Sequence, residues 1–128
     1  MSESDLLYTK NHCWVRDDGG EIVVGITDYA QEQLSDLTFV EFLTGVGDRI
    51  DADSEIATLE SVKSVNEVYA PVAGEVTAVN EDLVMQPETI NADPYGKGWL
   101  IRLRPEDPDA LSSLLDLDAY EALLPAED

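Results

Sequence analysis

Ile56-Ala57-Thr58-Leu59-Glu60-Ser61-Val62-Lys63-Ser64-Val65-Asn66-Glu67-Val68-Tyr69 is the stretch that decides the fold. Two β-forming runs, 56–59 and 65–69, flank a short polar turn. This layout predicts a hairpin, bounded at about 54 and 70, with Lys63 at its exposed tip. Gly47 and Gly74 lie on either side as turn residues. The chain carries 28 carboxylates and seven cations, so a turn tip would ordinarily hold Asp or Glu. An isolated amine on a tight bend reads instead as a handle for covalent attachment. Schiff-base catalysis needs a neutral amine, which burial or neighbouring cations would supply. A tip beside Glu60 and Glu67 supplies neither. Attachment by a dedicated ligase fits better, because that enzyme brings its own base.

Outward from the hairpin the chain reads as further short strands. Trp14-Val15-Arg16 and Ile22-Val23-Val24 enclose Asp17-Asp18-Gly19-Gly20, a hairpin pattern with a glycine-containing loop. Thr27 suits the N-cap of a short helix through Tyr29, Ala30 and Leu34, with Asp28 in its first turn. Leu37 to Leu43 reads as a strand, and Gly45 to Asp53 as turns. Glu75 to Asn80 alternates as a half-buried strand. Glu81 to Lys97, interrupted by Pro87, Pro94 and Gly96, reads as mostly loop. In Trp99-Leu100-Ile101-Arg102-Leu103-Arg104 the two arginines share one face. A helical segment over about 107–124 closes the chain. Asp107 caps its first helix with Pro108 at the first position, and Asp118 with Glu121 resembles a capping box for the second. Pro125 reads as the stop. The whole, 1–128, is one mainly β domain.

Composition excludes several function classes. At 128 residues and 44% hydrophobic content there is enough for one core. A formal charge of −21 speaks against nucleic acid and against an anionic membrane surface. There is no long apolar run and no signal-peptide pattern at Met1-Ser2-Glu3-Ser4-Asp5. The single cysteine, Cys13, cannot form an internal disulfide, which fits a reducing cytoplasm. The acids are spread over turns and strand ends, so the surface repels itself in dilute buffer. In molar salt the Debye length shrinks to about 3 Å, and a salt-stabilised, halophilic protein is the reading.

Other chemistry finds little support. His12 and Cys13 are neighbours, which in a strand would point to opposite faces. They supply at most half of a structural zinc site, and a Cys–His pair lacks an orienting third group. Both are read as structural or peripheral, and no metal site is expected. Ser61 and Ser64 have no nearby base. No carboxylate pair is marked for acid–base work, and Gly96-Lys97-Gly98 is a turn with no phosphate loop around it.

Several blocks together resemble a known family. Gly47-Asp48, Glu60-Ser61-Val62-Lys63-Ser64 and Ala70-Pro71-Val72-Ala73-Gly74-Glu75-Val76 resemble the lipoyl-attachment pattern. Tyr8-Thr9-Lys10-Asn11-His12-Cys13-Trp14-Val15, Val24-Gly25-Ile26-Thr27-Asp28-Tyr29-Ala30-Gln31 and the run from Asn91 to Ile101 resemble the H proteins of the glycine cleavage system. In order, they cover about Leu6 to Leu124. The resemblance implies a barrel-sandwich hybrid of the lipoyl/biotinyl type, with lipoate covalently bound at Lys63 in the hairpin of Glu60, Ser61, Val62 and Ser64. It implies a shuttle, itself no enzyme, between a pyridoxal-phosphate glycine decarboxylase and a tetrahydrofolate-dependent aminomethyltransferase. Dihydrolipoyl dehydrogenase then reoxidises the carrier. A lipoate-attaching enzyme is a further implied partner, and a monomer is implied by the need for a free surface.

In that family the loaded arm folds back into a surface cleft. Asn11, Cys13 and Glu67 are the cleft contacts the resemblance implies here. The family commonly has Glu where this chain has Cys13, and a thiol is a weak substitute for a carboxylate beside an amine. Either Glu67 alone suffices, or the arm is held less tightly. Asp53 stands where lipoyl domains often have Gly, which a left-handed turn residue tolerates. Biotin carriers share the fold, but Val62 and Ser64 stand where they usually have methionines. A 2-oxo acid dehydrogenase lipoyl domain would bring a flexible linker that this chain lacks. An H-like relay that distributes lipoate to other complexes is the alternative that the residues leave open.

Overall fold

The computed structural model describes residues 6–124, as nine strands and five short helices. The strands are β1 (Leu7–Tyr8), β2 (Cys13–Asp17), β3 (Ile22–Ile26), β4 (Leu37–Phe42), β5 (Arg49–Ile50), β6 (Glu55–Ser61), β7 (Val65–Tyr69), β8 (Gly74–Val79) and β9 (Ile101–Pro105). The α-helices are α1 (Asp28–Leu34), α2 (Asp82–Met85), α3 (Glu88–Ala92) and α4 (Leu117–Leu123), and a 3₁₀ helix covers Pro108–Ser113. One sheet runs β1-β2-β3-β9-β8-β5 and the other β4-β6-β7, antiparallel throughout. This is the mainly β barrel-sandwich arrangement expected from the sequence.

Alternation along the strands sorts side chains between two clusters. Val15 and Val24, partners across β2 and β3, enter the main core with Val40, Ile56, Leu59, Val76 and Leu103. Trp14 and Val23, one position off, face the other way, toward Leu6, Tyr8 and Tyr120. Trp14 is fully buried, and its indole N–H donates to the Pro94 carbonyl at 2.8 Å. Its cross-strand partner is Gly25, where a Cβ would stand 2.7 Å from the indole ring. Only glycine leaves room for the tryptophan there. The second cluster attaches α4 to the sheet, with Tyr8 and Tyr120 stacked at 4.7 Å and Tyr8 bridged to Leu115 through both backbone groups.

Most local signals hold. Thr27 caps α1 by accepting the Ala30 N–H, and Gly19 and Gly20 adopt positive φ in the β2–β3 turn. Asp53 is left-handed at φ 65°, as the turn requires. Arg102 and Arg104 share a face and meet at Glu21, which joins Asp18 and Glu75 in a surface ion-pair ladder.

Four expectations need correction. Residues 81–97 are not mostly loop, since they contain α2 and α3. Pro87 takes the N-cap position of α3 at φ −61°, a helical angle, so it starts a helix instead of breaking one. The cap of α4 is Asp116, which accepts the Ala119 N–H, and Asp118 lies in the first turn. The helix opened by Asp107 is 3₁₀ in form. His12 is not a strand residue: it sits just before β2 at φ 67°. Pro125, read as the stop of α4, lies outside the described residues, and the two-residue strands β1 and β5 were not anticipated.

Candidate functional site

The β6–β7 hairpin places Lys63 at its apex. The ladder runs Ala57↔Val68, Leu59↔Asn66 and Glu60↔Val65, and Ser61 N–H closes the turn on the Ser64 carbonyl at 2.8 Å. Ser61 Oγ then accepts the Lys63 N–H at 3.2 Å and the Ser64 N–H at 3.1 Å. The serine hydroxyl thus acts as a local clamp on a turn with no glycine. Val62 N–H reaches the Asp36 carbonyl, which fastens the turn to the segment after α1. Ser64 Oγ accepts from the Asn66 amide at 2.9 Å. Lys63 is exposed, and so are Val62 and Ser64 beside it, while Glu60 is half-buried. A hydrogen-bonded backbone turn presents an exposed lysine side chain.

Strand β7 runs from this tip into the wall of a cleft of about 270 Å³. Ile26, Leu34, Leu59 and Val68 give it an apolar lining, with Asn11, His12, Tyr29, Gln33, Asn66 and Glu67 around them. Of the predicted contacts, Asn11 and Glu67 therefore share the cleft. Glu67 is the one carboxylate on its wall.

Cys13 does not join them. Its side chain is 1% exposed and belongs to the main core, with Sγ turned to the Tyr69 carbonyl at 3.7 Å. Burial pushes the thiol up to about 12, which keeps it protonated and unreactive at neutral pH. As first residue of β2, it takes the inward side of the alternation.

His12, read from sequence as structural or peripheral, lines the cleft. Its left-handed backbone aims the ring away from the strand, where it packs on Tyr29 at 5.0 Å and places Nδ1 2.9 Å from the Tyr120 hydroxyl. Partial burial favours the neutral ring and holds its pKa below the ordinary value. No local signal marked His12 or Tyr29 as cleft residues, and the Tyr120 hydroxyl reaches His12 from 108 residues away.

A larger groove of about 570 Å³ runs between Phe39, Val46, Thr77 and Val84. It includes no residue of the attachment turn or of the opening motif, so size alone does not mark the site. Among the described residues no group of three or more His, Cys, Asp and Glu is placed to hold a metal ion. No helix among them is long and apolar enough to cross a membrane.

An exposed lysine on a clamped hairpin, beside a cleft with one carboxylate, is the geometry of a carrier. The sequence matches the glycine cleavage H-protein family over residues 6–127. The chain belongs to that family. It is 52% identical to the glycine cleavage system H protein of Idiomarina loihiensis over 93% of this chain and 92% of the relative. It is 49% identical to that of Chromohalobacter salexigens, over 98% and 95%. A crystal structure of a glycine cleavage system H protein from Mycobacterium marinum superposes with a TM-score of 0.84 at 37% identity, covering 93% of this chain and 95% of that one.

Proposed function

We propose that Lys63 holds a lipoyl group in amide linkage, and that the protein is the lipoyl carrier of the glycine cleavage system. It shuttles the aminomethyl group of glycine from the pyridoxal-phosphate glycine decarboxylase to the tetrahydrofolate-dependent aminomethyltransferase. Dihydrolipoyl dehydrogenase then restores the oxidised carrier, and a lipoate-attaching enzyme loads it. The observation that carries the reading is the exposed lysine at the apex of a serine-clamped hairpin, in a chain of this family along nearly its whole length.

The residues fit the group. When attached, it supplies a disulfide–dithiol couple, so the chain needs no cysteine pair of its own. Ser61, Val62 and Ser64 hold the turn so that an attaching enzyme meets one lysine in one geometry. Glu67 can accept charge-assisted hydrogen bonds from a cationic amine entering the cleft, and Asn11 adds an amide beside it. Ile26, Leu34, Leu59 and Val68 keep water away from what lies between them. The chain breaks no bond itself. Its contribution is tethering, which raises the effective concentration at each docked partner to about the millimolar range for a short flexible link. It does so as a cytoplasmic monomer.

Reconstitution with the three partner enzymes tests this. The lipoylated chain should support glycine-dependent formation of methylenetetrahydrofolate and NADH, as should Lys10→Arg and Lys97→Arg. Lys63→Arg should fold normally and support neither. Turnover with Lys63→Arg would overturn the reading. A host deletion that spares growth on glycine yet abolishes 2-oxo acid dehydrogenase activity would move the protein to a lipoate-relay role.

A further inference from the structure

His12 is the cleft residue whose state is set from elsewhere in the fold. Its Nδ1 lies 2.9 Å from the Tyr120 hydroxyl, and that hydroxyl lies 2.8 Å from Thr27 Oγ1. Thr27 is 0% exposed, and its oxygen already accepts the Ala30 N–H as the cap of α1. A buried hydroxyl hydrogen needs an acceptor. Among the described residues, the Tyr120 oxygen is the acceptor within reach of Thr27. Thr27 therefore donates to Tyr120. The single hydrogen of Tyr120 is then left for His12, whose Nδ1 must be bare to accept it. In the opposite polarity His12 would donate to Tyr120 and Tyr120 to Thr27, and the Thr27 hydrogen would be stranded in the interior.

We propose that Thr27 and Tyr120 are positioning residues of the cleft, holding His12 as the Nε2–H tautomer so that the wall offers a hydrogen-bond donor where Glu67 offers an acceptor. The two groups then suit different atoms of one occupant. Glu67 takes a cationic amine, and His12 Nε2–H takes a carbonyl oxygen or a sulfur. His12 cannot itself accept from the amine, so Glu67 is the charged partner with which an amine pairs there. The burial that disfavours protonation of His12 agrees with this polarity, since a second ring proton would force Tyr120 to turn back on Thr27. The chain also fastens α4 to the cleft, because Tyr120 is the stacked anchor of that helix. The choice of occupant rests on the carrier reading above. The tautomer rests on the hydrogen bonds alone.

The protein has a single histidine, so ring-labelled His12 gives unambiguous NMR signals. At a pH where the ring is neutral, the expected state is one tautomer, protonated at Nε2. Tyr120→Phe and Thr27→Val should each replace it with a mixture of tautomers. Thr27→Ser, which keeps the hydroxyl, should restore the single state. Attachment of lipoate at Lys63 and its loading should shift the Nε2 signal in the wild type, and less in Tyr120→Phe. A proton on Nδ1 in the wild type would overturn the proposal, as would the same tautomer ratio in all four proteins. Should Tyr120→Phe fail to fold, the wild-type tautomer and the Thr27 pair still decide. A chain with no group on Lys63 would defeat the carrier reading and leave the tautomer result standing.

Discussion

The turn around Lys63 holds its shape with hydrogen bonds between residues two or three positions apart, through Ser61 and Ser64. The cleft beside it is fastened by bonds that span 108 and 93 positions, from His12 and Thr27 to Tyr120. The attachment point is therefore nearly self-contained, while His12 on the cleft wall is held by a residue of α4. The two parts of one site should fail separately.

The largest effect should come from the long-range side. Trp14→Ala empties a fully buried position and loses the bond to Pro94. It should cost about 3–5 kcal/mol in urea unfolding. Val62→Ala at the tip, where the side chain is 69% exposed, should stay within about 0.5 kcal/mol. Comparable losses would erase the contrast. Next comes Tyr120→Phe, which keeps the ring stack and strands the buried Thr27 hydroxyl. It should cost about 1–3 kcal/mol, yet leave the rate of lipoate attachment at Lys63 unchanged. A matching fall in attachment would show the two regions to be one unit.

Charge acts on both regions at once. With a formal charge of −21, the melting temperature should rise from dilute buffer to multimolar KCl. A flat response would remove the halophilic reading. Acid should act in two smaller steps. His12 has a lowered pKa in the fold, so the unfolded chain takes up that proton first, and stability should begin to fall just below the ordinary histidine value of about 6.5. Asp18 and Glu21 are held below the usual carboxylate range by hydrogen bonds to Arg102. Their contribution is present above the unfolded carboxylate pKa of about 4 and is lost as the pH falls further. His12→Gln should remove the first step from a pH series of urea melts and leave the second.

How much could be read from the sequence follows the same division. The hairpin, the Thr27 cap, the Gly19–Gly20 turn and the shared face of Arg102 and Arg104 are set within a few residues, and each was legible. Pro87 misled because a proline can stop a helix or begin one, and neighbours buried through Leu83 and Ile90 decide which. Asp118 and Asp116 both suit a cap; Asp116 takes it, and Leu117 after it packs against the cluster that holds Tyr120. Cys13 looked like a cleft contact by its place in the opening motif, but strand alternation turns it into the core. Tyr120 could not be placed against His12 by any local pattern.

The carrier role depends on the modification of one residue, Lys63. Protein purified from its native host, digested and sequenced by mass spectrometry, should show the lipoyl increment on Lys63 and bare amines at Lys10 and Lys97. A consistently unmodified Lys63, or the increment on either other lysine, would overturn the carrier role proposed for it.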